Sequence, residues 1–267
     1  MDGKDGRAVK DSKKDLDHPP PSRPSRLFRP YLRVLLPPGS AAVGRRITLD
    51  HNEAHHLRVR RAREDESVEV VDGAGLSGTG RLLRTGSEWS VEIESAGREA
   101  ALPELTLAVG AGDRERFTWM AEKAVELGVT RIVPLETAHS AGVGPRLKTS
   151  HLEKLARVVL EATKQCGAAW APALESPVDL VEFVARPLEG AGWLADSSGD
   201  APPPGLDDGP LTIVIGPEGG LTAEERTSIL AAGYRPVMLG AHTLRFETAA
   251  IAAAAVASAA RSRSAHG

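Results

Sequence analysis

Gly216, Pro217, Glu218, Gly219 and Gly220 crowd into one loop directly behind the apolar run LTIVI and just ahead of Thr222 and Glu225, a helix-capping pair. Three glycines let backbone amides approach a ligand with no Cβ in the way. Pro217 fixes one φ and lowers the entropy cost of ordering the loop. A loop of this kind binds something flat at close range. About twenty residues on, LGAHTLRFETAA (239–250) repeats the plan: a strand over 235–239, Gly240, a polar loop and an alanine-rich helix. Two ligand-shaped loops in one C-terminal unit are more than coincidence.

The elements that must carry these loops alternate after Pro103. LTLAVG reads as a strand, residues 114–127 as a helix, TRIVPLE as a strand, and WLAD (193–196) as another, joined to LTIVI by a Pro- and Asp-rich connection over 197–210. Phe117, Met120, Ala121, Ala124 and Leu127 recur at helical spacing, and Gly128 supplies the stop. A second helix is expected to begin at Ser150, with Glu153 as its capping partner, to bury Leu152, Leu155, Ala156, Val159 and Leu160, and to end near Gly167. Such alternation gives a mostly parallel sheet with helices on both faces, and ligands of such sheets bind beyond the strand C-termini. Both special loops fall at that edge.

Composition sets wide bounds. A chain of 267 residues, 41% hydrophobic, can bury one large core or two modest ones, and two domains are expected. With 33 basic and 36 acidic residues the net charge is −3, so any nucleic-acid surface must be local. The single cysteine, Cys166, excludes an internal disulfide and a multi-cysteine zinc site and fits a reducing compartment, hence the cytoplasm. The N-terminus lacks an apolar signal region, and no stretch reaches the length of a membrane span.

Residues 1–26 mix both charge signs with prolines and read as a flexible tail; a basic arm on RNA phosphates is the alternative. From Leu27 to about Arg98 short period-two runs separated by glycine turns indicate a small β-rich domain. Between its second and third strands lies NEAHHLRVRRAR, read as a helix. Its Arg58, Arg60, Arg61 and Arg63 make either a local phosphate-binding surface or a solvated face. His51 and His55 stand four apart without a third ligand nearby, so no metal is expected. GAGLSG (73–78) matches a dinucleotide pattern, but the strand-like stretch behind it offers no helix N-terminus for a pyrophosphate, and a hairpin turn accounts for the glycines.

The order EAHHLRV, KAVELGVTRIVPLETAHS, EATKQCG, IGPEGGLTAEE and LGAHTLRFETAA, across roughly residues 28–262, resembles the bacterial 16S ribosomal RNA uracil-N3-methyltransferase family of the SPOUT superfamily. The resemblance implies a PUA-like β-barrel domain for RNA (27–98). Behind it would follow an α/β methyltransferase domain (103–267) whose C-terminal segment threads a trefoil knot, an exception to the usual threading rules. It further implies S-adenosylmethionine as methyl donor, ribosomal RNA of the small subunit as substrate, and a homodimer.

Carried over by position, the cofactor would lie against Leu194 and Asp196, against Ile215, Gly216, Pro217, Glu218, Gly219 and Gly220, and against Leu239, Gly240, Leu244 and Thr248. Arg245 would orient the cofactor carboxylate or an RNA phosphate. Glu247 would be the general base for the imide proton, or else cap the last helix while pairing with Arg245. His55, His56, Arg58, Arg60, Arg61 and Arg63, with Arg114, Arg116 and Lys164, form the candidate RNA-facing set. Because N3 lies on the Watson–Crick edge, the target uracil must be unpaired or extruded. Five residues depart from the family's pattern: Arg60 in place of an aliphatic residue, Ala168 in place of an arginine, Ala241 and His242 in place of a Pro-Arg type pair, and Phe246 in place of a small or polar residue. A related methyltransferase with another RNA target, or a non-catalytic RNA-binding protein, are the alternative readings.

Overall fold

A computed structural model describes residues 32–110, 112–140 and 149–264. The N-terminal tail expected over 1–26 lies outside the described residues.

The first half builds a five-stranded, barrel-like sheet from β1 (Arg33–Leu35), β2 (Arg46–Thr48), β3 (Ser67–Val71), β4 (Leu76–Thr85) and β5 (Glu88–Arg98), in the order β1-β3-β4-β5-β2. Only β1 and β3 run parallel. Alternate residues Val68, Val70, Leu82, Val91 and Ile93 close a core over which Leu57 of α1 (His51–Val59) packs. The glycines of 73–78 turn β3 into β4. Asp72 accepts bonds from the N–H groups of Ala74 and Leu76 at 2.8 and 2.9 Å, and a Cβ at Gly75 would collide with the Trp170 ring.

Helix α1 is shorter than the sequence pattern suggests. It stops at Val59 in a Schellman arrangement, the N–H of Ala62 bonding Leu57 O and that of Arg61 bonding Arg58 O, with Arg61 at φ +54°. Arg60, Arg61 and Arg63 therefore follow the helix instead of riding on it. The position that normally signals such a stop with glycine carries arginine here.

The second half is a fully parallel sheet of β6 (Leu105–Gly110), β7 (Arg131–Glu136), β8 (Ala173–Leu174), β10 (Ala191–Asp200), β11 (Leu211–Ile215) and β12 (Arg235–Val237), in the order β12-β10-β11-β6-β7-β8. Strand β9 (Val178–Asp179) adds to β7. One face is covered by α2 (Arg114–Glu126), α3 (Thr149–Cys166) and α6 (Phe246–Ser264), through Phe117, Met120, Val159 and Ala253. The other is covered by α4 (Leu180–Val184) and α5 (Ala223–Ala231), through Phe183 and Ile229. Helix α2 ends at Glu126, and Gly128, φ +78°, follows its cap residue Leu127. Helix α3 already includes Thr149, so Ser150 sits inside its first turn and is not the expected cap. Strand β10 continues to Asp200, so only 201–210 connect it to β11. Leu206 of that connection packs on the same core as Leu239 and Leu244 of the return from β12 to α6.

Both sheets belong to one compact unit from Leu32 onward. Lys164 of α3 reaches Glu53 of α1 at 2.6 Å, Trp170 Nε1 donates to Glu99 O at 3.1 Å, and the Arg98 guanidinium stands 4.7 Å from the Trp170 ring centre. Among the described residues no helix is long and apolar enough to cross a membrane.

Candidate active site

The carboxyl ends of β11 and β12, with residues 194–197 inside β10, open into one cavity of about 620 Å³, walled further by the loop after β11 and by Leu239, Gly240 and residues 242–246. Parallel pairing of β10 with both β11 and β12 brings three separate chain segments to one rim.

The glycine loop is held on three sides. Gly220 N–H closes a turn on Pro217 O at 2.9 Å, with φ +75°, a conformation that favours glycine. Behind it, Thr222 and Glu225 form a reciprocal capping box, and Glu225 also accepts from Ala138 N at 2.7 Å. His139 Nδ1 is 3.0 Å from Gly220 O. Glu218 accepts from Asp113 N at 3.2 Å, ahead of α2, and Pro217 packs against Gly110, where an added Cβ would come within 2.8 Å of its ring. A loop anchored this way loses little further freedom when a ligand arrives.

Eleven of the residues first assigned to the site line this cavity: Leu194, Asp196, Ile215, Gly216, Pro217, Glu218, Gly220, Leu239, Gly240, Leu244 and Arg245. Three do not. Gly219 is exposed, and a Cβ there would sit 2.8 Å from that of His139, so its small size accommodates the 137–140 turn and not the cavity. Thr248 is exposed on α6, one residue past Glu247. Glu247 is buried and points to Arg116, Oε1 lying 3.6 Å from Nη1. The expected Arg245–Glu247 pair is therefore replaced: among the described residues Arg245 makes no ion pair.

Sequence reasoning missed the wall formed by Ser197, Arg226, His242 and Thr243. Arg226 of α5 pairs with Asp196 at 2.6 Å and bonds Ser198 Oγ at 3.2 Å. Burial works to raise the Asp196 pKa, but the Ser198 N–H and hydroxyl and the Arg226 guanidinium outweigh it and hold the carboxyl below its ordinary range. Nothing in the sequence pairs positions thirty residues apart.

The candidate RNA-facing residues divide. His55, Arg58, Arg60, Arg61 and Arg63 are exposed around the end of α1, and His56 is half-buried, burial and then the Lys164 charge pulling its pKa down. Arg116 lines the cavity, and Arg114 contacts His151 of α3. Lys164 is a correction: its ammonium is buried between Glu53 at 2.6 Å and Glu161 at 2.8 Å and is no free phosphate ligand. Desolvation lowers its pKa, but the bonds to Glu161 and Glu53 prevail and the net shift is upward.

A parallel α/β sheet with a cavity at its carboxyl rim, joined to a barrel-like sheet with an arginine-rich turn, defines a cofactor-binding enzyme coupled to a nucleic-acid module. Residues 98–258 match the family model described as "RNA methyltransferase domain", residues 49–88 match that described as "RNA methyltransferase PUA domain", and the chain belongs to this RNA methyltransferase family. It is 32% identical over 216 residues to the ribosomal RNA small subunit methyltransferase E of Synechocystis sp., covering 76% of this chain and 69% of the relative. The crystal structure of a ribosomal RNA small subunit methyltransferase E from Neisseria gonorrhoeae bound to S-adenosyl methionine superposes with TM-score 0.74 at 27% identity, covering 84% of this chain and 95% of that one. A putative methyltransferase from Legionella pneumophila in complex with the same cofactor gives 0.71 at 26% identity, covering 85% and 96%.

Proposed function

We propose that the protein is an S-adenosylmethionine-dependent methyltransferase that methylates N3 of a uridine in 16S ribosomal RNA of the small subunit, working as a homodimer. The observation that carries this reading is the cavity at the sheet's carboxyl rim, lined by both glycine-bearing loops.

The residues present fit the donor. Leu194, Ile215, Leu239 and Leu244 supply apolar walls for a purine, and a Cβ added at Gly220 would meet no protein atom within 4 Å, leaving main chain open to a ligand. Asp196, fixed by Arg226, is a preset acceptor for hydroxyl groups. Arg245 offers planar N–H pairs to a carboxylate or phosphate. S-adenosylmethionine supplies a methyl on a cationic sulfur that leaves as a neutral thioether, so the protein's share is chiefly to align the uracil nitrogen and help remove its proton. The exposed arginines after α1 hold the phosphates that flank an extruded base, giving affinity with little dependence on sequence.

Isotope-labelled S-adenosylmethionine is incubated with the protein and either small subunits or naked 16S rRNA, and the nucleosides are then identified. The reading expects label in 3-methyluridine at one position. Label on another atom or another RNA makes the protein a related methyltransferase with a different target, and donor binding without transfer to either substrate refutes the reading.

A further inference from the structure

Arg116 stands where two helices meet the cavity. It lies in the first turn of α2, its backbone N–H donating at 2.8 Å to the Asp113 carboxylate that caps the helix, and its side chain lines the cavity wall. Behind it lies Glu247 of α6, Oε1 3.6 Å from Nη1, with the glutamate side chain 10% exposed and the arginine 40%. Glu247 Oε2 is buried without a hydrogen-bond partner among the described residues. Glu247 is not part of the cavity wall, so its carboxylate acts on a ligand through the guanidinium.

A buried carboxylate with one oxygen unsatisfied is an expensive way to pack a helix. Around Glu247 the inner face of α6 is apolar, with Phe246, Ala249, Ala250, Ala253 and Ala254 all buried, and an apolar side chain at 247 would pack there without that penalty; the other buried charge of the helix, Arg261, donates to the Pro103, Glu104 and Gly209 carbonyls. The charge is better explained by what it does to Arg116 than by stability.

We propose that Arg116 is the cation that stabilises the N3-deprotonated form of the target uracil, and that Glu247 is a positioning residue that aims it. The inference rests on the function proposed above. The N3 proton leaves to hydroxide from solvent, giving water. The electron pair left on nitrogen is shared with O2 and O4 until it forms the new N–C bond, as the C–S bond breaks and its electrons stay on sulfur. A planar guanidinium presents adjacent N–H groups that match a nitrogen and oxygen side by side. Because Glu247 offsets its charge, the Arg116 pair supplies those donors with little added repulsion toward a nearby sulfonium. Arg245, which makes no ion pair among the described residues, is suited to the donor carboxylate or a phosphate. The other charged or titratable groups about the site are Asp113 and Glu218 at the start of α2, Asp196 with Arg226, and His242.

The test compares wild type, Arg116→Gln, Arg116→Lys and Glu247→Gln in single-turnover methyl transfer to the RNA substrate across neutral to alkaline pH. Donor affinity by calorimetry and thermal melting serve as controls for folding and cofactor binding. Arg116→Gln is expected to slow transfer about 100-fold near neutrality, the scale of losing one anion-stabilising donor. The deficit should shrink as pH rises and solvent ionises the imide unaided, with donor affinity unchanged within about threefold. Glu247→Gln should show the same pH-dependent pattern to a smaller degree, and Arg116→Lys should recover part of the rate. A deficit constant across pH, or one matched by an equal loss of donor affinity, overturns the inference while leaving the proposed function standing. A wild-type protein that transfers no methyl to rRNA removes the function itself, and this inference with it.

Discussion

Replacing Lys164 with methionine probes the joint between the barrel-like sheet and the parallel sheet. The Lys164 and Glu53 side chains are 5% and 4% exposed, 2.6 Å apart, and Glu53 Oε2 also accepts from Leu35 N at 3.2 Å. The substitution keeps the apolar stem and leaves a buried carboxylate without its cation. That loss costs about 3–5 kcal/mol. The partner lost at Glu161, which is 56% exposed, adds little. At about 2–4 °C per kcal/mol for a chain of this size, the melting midpoint should fall by about 6–20 °C.

The pH dependence has a definite sign. Burial raises the Glu53 pKa, against the opposing influence of Lys164 and the Leu35 N–H. An acid whose folded pKa is raised contributes stability that is complete below its unfolded pKa and is lost as pH climbs through the folded value. Removing Lys164 raises the folded value further, so the deficit relative to wild type should be larger at about pH 7.5 than at about pH 5. Adding Glu53→Gln to Lys164→Met should restore most of the stability, because the amide oxygen still accepts from Leu35. Differential calorimetry at the two pH values reads all of this. A deficit under about 1 kcal/mol, or one equal at both pH values, would place the pair with surface salt bridges and refute the reasoning.

Three further outcomes follow from local geometry. Gly219→Val should lower S-adenosylmethionine affinity about tenfold by calorimetry, because the clash with His139 displaces the loop. Arg61→Gly should stabilise the protein by about 0.5–1 kcal/mol in urea melts, since glycine takes φ +54° without the Cβ penalty, while RNA affinity falls. Changing Arg58, Arg60 and Arg63 together to glutamine should flatten the salt dependence of single-stranded RNA binding by about two units of log–log slope and leave donor affinity unchanged.

What the sequence disclosed was local. The capping box at Thr222 and Glu225, the stop at Gly128, and the two glycine-bearing loops at the strand ends depend on residues a few positions apart, and all are in place. The end of α1 was not legible, because Arg61 takes a left-handed conformation with no glycine to announce it. Lys164 is an exposed cation by sequence and a buried one in the fold, because its partner Glu53 is 111 residues away. Long separation in sequence likewise hid the Asp196–Arg226 and Arg116–Glu247 pairs, and it hid that Gly219 makes room for His139. Pattern reading found the rim of the site, whereas the charges that tune it come from contacts between remote segments.

A crystal structure of the protein grown with S-adenosylhomocysteine tests the central claim most directly. The account predicts the nucleoside between Ile215–Gly220 and Leu239–Leu244, with Arg245 and Arg116 on the same cavity. Density for the ligand elsewhere, or the cavity filled by the protein's own side chains, would contradict it.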